Sequence, residues 1–128
     1  MRLLLDTCAF LWWTSSPDRL SPKATQALRH PDNIVFFSVV TAWEIAIKYK
    51  IGRLELPNPP QRYISDWLKS YNLQPIEIGL PHVLEAGALP LHPGDPFDRL
   101  LIAQAQTEGL TIVTPDPAFS GYAADLFW

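Results

Sequence analysis

Asp6, Glu44, Asp98 and Asp116 are the four residues of this chain whose types and placement admit chemistry together. They lie far apart in the sequence, yet each falls where a strand is predicted to end or a helix to begin. A parallel α/β sheet gathers such positions, because it binds ligands in the crevice beyond the carboxyl ends of its strands. Four carboxylates brought together there repel one another unless a divalent cation joins them. The constellation points to a metal centre built from hard oxygen donors.

Each acid also admits a structural role. Asp6 directly follows the first predicted strand and can serve as N-cap of the next helix. Thr41-Ala42-Trp43-Glu44 matches a capping box, and Glu44 stands four residues before Lys48, at ion-pair spacing on a helix. Asp98 sits three positions into a helix that Asp95 would cap, where unpaired backbone N–H groups and the helix dipole favour a carboxylate. Asp116 lies in a Thr-Pro-Asp-Pro turn that also makes an ordinary Asx-turn. Thr114 can hydrogen-bond a carboxylate or merely close that turn. All four acids obey one geometric rule, and that coincidence raises their joint weight above any single signal.

The elements that must position them follow from periodicity. Leu3-Leu4-Leu5 does not alternate with polar residues and is predicted to be a central strand buried on both faces. Thr7 to Trp13 begins a helix, and a second runs from Pro22 to Leu28 with Ser21 as its cap. Ile34 to Phe37 is a second strand. From Val40, the spacing of Trp43, Ile47 and Ile51 predicts an amphipathic helix that Gly52 ends. Tyr63, Trp67, Leu68 and Tyr71 mark another helix, Pro75 to Ile78 a third strand, and Pro81 to Ala88 a short helix. Asp95-Pro96 opens a helix that runs to Gly109, Thr111 to Thr114 is a strand, and Asp125 to Trp128 a last edge strand. Strands alternating with helices predict a sheet with helices on both faces and right-handed connections.

Composition bounds the rest. At 128 residues, 48% of them hydrophobic, the chain is predicted to form a single domain over 1–128 with a core of its own. Its 13 prolines fall between periodic segments and act as punctuation. One cysteine, Cys8, excludes a disulfide framework and a cysteine-rich zinc site; it reads as a small buried hydrophobe. Asp6 interrupts the N-terminal apolar run before a secretory segment could form, so a soluble cytoplasmic protein without a membrane span is predicted. A net charge of −3 argues against a protein that coats DNA but not against a nuclease, whose bound metal offsets acids locally. His30, His82 and His92 are too widely spaced for a zinc site, and there is no nucleophile elbow, P-loop or dinucleotide fingerprint. Of Trp12 and Trp13, one is predicted to have a surface role.

The blocks Leu4-Leu5-Asp6-Thr7, Ser38 to Ile45, Asp95-Pro96-Phe97-Asp98-Arg99 through Ala103 and Thr114-Pro115-Asp116 together resemble the PIN domain, and more closely the VapC-type toxins of toxin–antitoxin pairs. The resemblance spans Arg2 to Trp128. It implies a three-layer α/β/α sandwich around a central parallel sheet. It implies a Mg²⁺- or Mn²⁺-dependent endoribonuclease with Asp6, Glu44, Asp98 and Asp116 as metal ligands, Asp6 and Asp98 being the principal ones. It also implies a small cognate antitoxin and a homodimer. Cys8, Gly94 and Pro115 depart from the residues frequent in close relatives, which bears on substrate contacts and loop geometry more than on metal.

The expected reaction is hydrolysis of an RNA phosphodiester by a metal-activated water. Arg99, Lys48, Lys50 and Arg53 are candidates for phosphate contacts. Two other classes fit less well. A phospho-acceptor receiver domain needs a late lysine, and none follows Lys69; a haloacid-dehalogenase-like phosphatase needs a second aspartate two residues after Asp6, where Cys8 stands. A noncatalytic PIN-like module that binds RNA or a partner stays open.

Overall fold

The computed structural model describes residues 1–91 and 94–128, so His92 and Pro93 of the proline-rich segment lie outside the described residues. The chain runs β1 (Arg2–Leu5), α1 (Thr7–Ser15), a 3-10 turn (Pro17–Arg19), α2 (Pro22–Arg29), β2 (Ile34–Ser38), α3 (Val39–Lys50) and α4 (Pro60–Ser70). It continues with β3 (Gln74–Ile76), α5 (Leu80–Ala88), α6 (Pro96–Glu108), β4 (Thr111–Val113), a 3-10 turn (Pro117–Gly121) and β5 (Leu126–Phe127).

All pairings are parallel, and the five strands stand in the order β3-β2-β1-β4-β5. β1 occupies the centre, with Leu3 beside Val35 on one side and Thr111 on the other. Leu3, Leu4 and Leu5 are each fully buried, as a run without alternation requires of a strand covered on both faces. Side chains still alternate between the layers. Leu3 and Leu5 pack with Phe10 and Trp13 of α1, Leu28 of α2 and Tyr63 of α4. Leu4 points the other way, into Leu101, Ile102 and Ala105 of α6 and Phe119. The result is the three-layer α/β/α sandwich expected.

Helix boundaries follow local chemistry. The Ser21 hydroxyl accepts from the Ala24 N–H at 2.9 Å, and Asp95 caps α6 through the Phe97 N–H at 2.7 Å. Gly109 ends α6 at φ +67°, a left-handed conformation that a side chain disfavours.

Three expectations shift. β2 enters α3 without a loop, so α3 starts at Val39 and its N-cap is Ser38, whose hydroxyl accepts from the Val40 N–H. The Thr41 to Glu44 capping box does not form, because Thr41 is already inside the helix. β3 stops at Ile76 rather than Ile78, and the carbonyl of Glu77 accepts instead from the Gln104 side-chain amide at 3.2 Å. Pro75 is tolerated because β3 is an edge strand.

Candidate active site

The chain leaves β1 toward β2 and β3 on one side and later returns to β4 and β5 on the other. The topological switch therefore lies between β1 and β4. Crevices form at such points because the connections on either side diverge. Asp6 follows β1 and Thr114-Pro115-Asp116 follows β4, so the two strand ends deliver their acids to this place. Glu44 comes from the second turn of α3 and Asp98 from the first turn of α6. All four acids, with Asp95 and Lys48, line a cleft of about 300 Å³ whose remaining wall is Thr7, Cys8, Leu11 and Trp12. A larger hollow of about 500 Å³ at the amino ends of β2 and β3 is lined by Arg29, His30, Asn33 and Asn72 among others, and by no carboxylate.

The structural and functional readings of the acids turn out to be compatible. Asp6 is buried, accepts from the Ala9 N–H at 2.6 Å as the cap of α1, and accepts from the Thr114 hydroxyl at 2.6 Å on its other oxygen. Thr114 in turn accepts from the Asp116 N–H, which ties the two acidic strand ends together. Glu44 is buried as well. Its Oε1 accepts from the Thr7 hydroxyl at 2.6 Å and its Oε2 pairs with Lys48 Nζ at 2.5 Å, the spacing that the sequence showed. Asp116 caps the 3-10 turn after β4 through the Ala118 N–H and is exposed at the cleft rim. Asp98 differs: among the described residues its carboxylate makes no hydrogen bond or ion pair, although it is half-buried.

Electrostatics register the crowding. Burial pushes the Asp98 carboxyl up to about 7, reinforced by Asp95, Glu44, Asp116 and Asp6 in that order. Burial also raises Asp6 to about 6, against the lowering effect of its bonds from Thr114 and Ala9, with Asp116 and Glu44 adding to the rise. Lys48 is raised, chiefly by its hydrogen bond to Glu44. The Cys8 thiol is pushed up to about 11 by burial and by Asp6, which keeps it protonated; it is half-buried in the cleft wall rather than fully buried as expected.

The donor set fits a hard divalent cation. Asp98 holds uncommitted oxygens next to anchored carboxylates, and a cation between them relieves the repulsion that raises Asp98 and Asp6. The acids surround the cleft without closing into a cage: among the described residues no three His, Cys, Asp or Glu form a ready metal cluster. Mg²⁺ does not demand one, since it keeps several waters and takes only one or two carboxylates.

Arg99 stands apart from the substrate role expected of it. Its guanidinium donates to the carbonyls of Ala86, Leu89 and Pro90 and to the Tyr122 hydroxyl, and it does not line the cleft. Lys50 and Arg53 lie outside the cleft too, whereas Lys48 is in it. Thr7 and Asp95 are cleft residues that the sequence reading left without a site role, although Thr7 adjoins Asp6 and Asp95 adjoins the Asp98 turn. Buried Gln104, bonded to Ser38 at 2.5 Å, braces α6 against the start of α3. Its signal was a polar residue within the apolar stripe of α6. Of the tryptophans, Trp13 is buried and stacks on Tyr71, and Trp12 is half-buried at the cleft.

Fold and site thus define an α/β/α protein with an acid-walled cleft at the switch point of its parallel sheet. The PIN domain matches residues 3–125, and the chain belongs to that family. It is 32% identical over 117 residues to Ribonuclease VapC22 of Mycobacterium tuberculosis, across 89% of this chain and 86% of that protein. In structure it is similar to VapBC2 from Rickettsia felis, solved bound to a promoter DNA fragment, with a TM-score of 0.74 at 19% identity over 100% of this chain and 99% of that one. VapBC-5 from Mycobacterium tuberculosis gives 0.62 at 16% identity, covering 98% and 95%. At those identities the structural matches speak for the fold.

Proposed function

We propose that this chain is a divalent-metal-dependent endoribonuclease and the toxin of a toxin–antitoxin pair. The observation that carries the reading is the convergence of Asp6, Glu44, Asp98 and Asp116 on one cleft, with Asp98 left unpartnered among the described residues. Relatedness to Ribonuclease VapC22 over most of both chains supports RNA as the substrate, and likeness to a structure from the VapBC family of toxin–antitoxin systems supports a small antitoxin as the partner.

Asp6 and Asp98 are the principal ligands of Mg²⁺ or Mn²⁺, with Glu44 and Asp116 completing the set. Bound there, the ion supplies Lewis-acid polarisation of the phosphate and a nucleophilic water at neutral pH. The rest falls to side chains. Ala9 and Thr114 hold Asp6 in one orientation, and Thr7 and Lys48 hold Glu44, so that two carboxylates are preorganised before anything binds. Lys48 also keeps one positive charge within the acidic wall. Leu11 and Trp12 give the cleft an apolar flank that limits water on that side.

The protein acts in the cytoplasm as a homodimer. Exposed apolar side chains on α3 and α5, among them Trp43 and Ile47, Leu80 and Leu84, offer surface suited to self-association. Among the described residues no helix is long and apolar enough to cross a membrane.

The deciding experiment incubates antitoxin-free protein with a pool of structured cellular RNAs in Mn²⁺, Mg²⁺ or EDTA, beside Asp98→Asn. Discrete cuts that require both metal and Asp98 are expected. Folded protein that cuts no RNA in either metal would leave a PIN-like binding module instead.

A further inference from the structure

The acidic cleft poses a problem for the substrate just assigned to it. Five carboxylates face an RNA backbone, and the single cation in the wall, Lys48, is engaged by Glu44. Something beside the cleft has to receive the flanking phosphates and bases. Several cations of the chain are held elsewhere, Arg2 by the Glu108 carbonyl, Arg99 by three carbonyls and Arg62 by Asp66, and none of these lines the cleft.

Arg19 is different. It ends the 3-10 turn after α1, is exposed, and its guanidinium makes no hydrogen bond or ion pair among the described residues. Instead it lies 4.2 Å from the ring centroid of Trp12, which itself lines the acidic cleft two helical turns after Asp6. The Trp128 ring meets Trp12 edge-to-face at 5.9 Å. The indole is therefore held in place by two neighbours while part of its surface stays open to the cleft. Arg19 is also close enough for its charge to act on Cys8, next to Asp6.

We propose that Trp12 and Arg19 form a nucleotide subsite on the rim of the cleft, Trp12 stacking on an unpaired base and Arg19 taking the phosphate beside it. The inference rests on the ribonuclease reading. An aromatic ring held in place next to a guanidinium that makes no hydrogen bond or ion pair among the described residues is a combination that single-stranded nucleic acid binding uses, and stacking tolerates any base because every base has a π-face. A duplex keeps its bases stacked on each other and offers Trp12 nothing, which sets the preference for unpaired segments. Preorganisation by Trp128 and Arg19 lowers the ordering cost of the encounter.

The test measures binding and cutting separately. Anisotropy of a labelled single-stranded oligoribonucleotide is titrated, with Mg²⁺ present, in the cleavage-impaired Asp98→Asn background. Trp12→Ala and Arg19→Gln are each expected to weaken binding about tenfold or more, and Trp12→Phe to restore most of it. Arg19→Gln should also flatten the salt dependence by about 0.7 in log–log slope, the signature of one lost phosphate contact on a single strand. In the parent background Arg19→Gln raises KM and leaves kcat close to its starting value. Arg19 is exposed, so its variant keeps the fold and decides the matter even if Trp12→Ala unfolds. Binding within twofold of the parent in both Arg19→Gln and Trp12→Ala, or equal affinity for a duplex of the same length, overturns the subsite. Cutting with unchanged KM in the variants removes the subsite and spares the nuclease. Stacking-dependent binding without cutting by the parent does the reverse.

Discussion

Neutralising Asp98 should make the metal-free protein more stable, an unusual outcome for a change at a half-buried site. The carboxyl of Asp98 is raised from an ordinary 3.8 to about 7 by burial and by four neighbouring acids. A carboxyl raised in the folded state costs nothing below its unfolded value, where both states are protonated. The penalty grows as pH rises toward the folded value and is complete above it. At pH 8 the difference between those values corresponds to about 4 kcal/mol at full weight. Asp98 is only half-buried, so screening by water trims this to roughly half. Loss of a favourable charge at the N-terminus of α6 gives back about 0.5 kcal/mol, leaving Asp98→Asn more stable by about 1.5 kcal/mol. For a chain of this size that is a Tm higher by about 6 °C. The assay is thermal unfolding in EDTA at pH 4 and pH 8, with the gain present at pH 8 and gone at pH 4. Mn²⁺ at about a hundred times its Kd should then raise the parent by about 2.7 kcal/mol and the variant by much less, reversing their order. A variant that melts well below the parent in EDTA at pH 8 would refute the repulsion argument and leave Asp98 as a helix-terminal stabiliser.

Two further changes separate the site from its scaffold. Thr114→Val removes the hydroxyl that lowers the Asp6 carboxyl. Asp6 should then titrate above about 6, so the acidic limb of the RNA-cleavage pH profile moves to higher pH; an unmoved limb would detach Thr114 from the chemistry. Arg99→Gln strips charge-assisted bonds from the carbonyls of Ala86 and Pro90, each 2.8 Å long. It should cost about 1.5–3 kcal/mol in denaturant unfolding with KM for RNA unchanged, whereas a raised KM at unchanged stability would return Arg99 to the substrate.

Much of this protein was written in short-range signals. The buried strand at Leu3 to Leu5, the caps at Ser21 and Asp95 and the stop at Gly109 each depend on residues within one turn of themselves, so periodicity and capping chemistry revealed them. The positions of the acids at strand ends and helix starts were legible for the same reason, as was the i, i+4 pair of Glu44 and Lys48. Tertiary structure decided the rest. Ser38 outcompeted Thr41 as the cap of α3 because β2 runs directly into the helix and Gln104, sixty-six residues on, holds that hydroxyl. Arg99 clamps carbonyls at the end of α5 because α5 and α6 pack together, a set of contacts that local spacing did not show. Trp12 and Trp13, adjacent in sequence, parted ways when helical geometry turned one into the core and the other to the cleft. The order β3-β2-β1-β4-β5 put the switch point between the strands that carry Asp6 and Asp116. Local spacing can nominate a carboxylate, but its charge state and neighbours come from segments brought together only by packing.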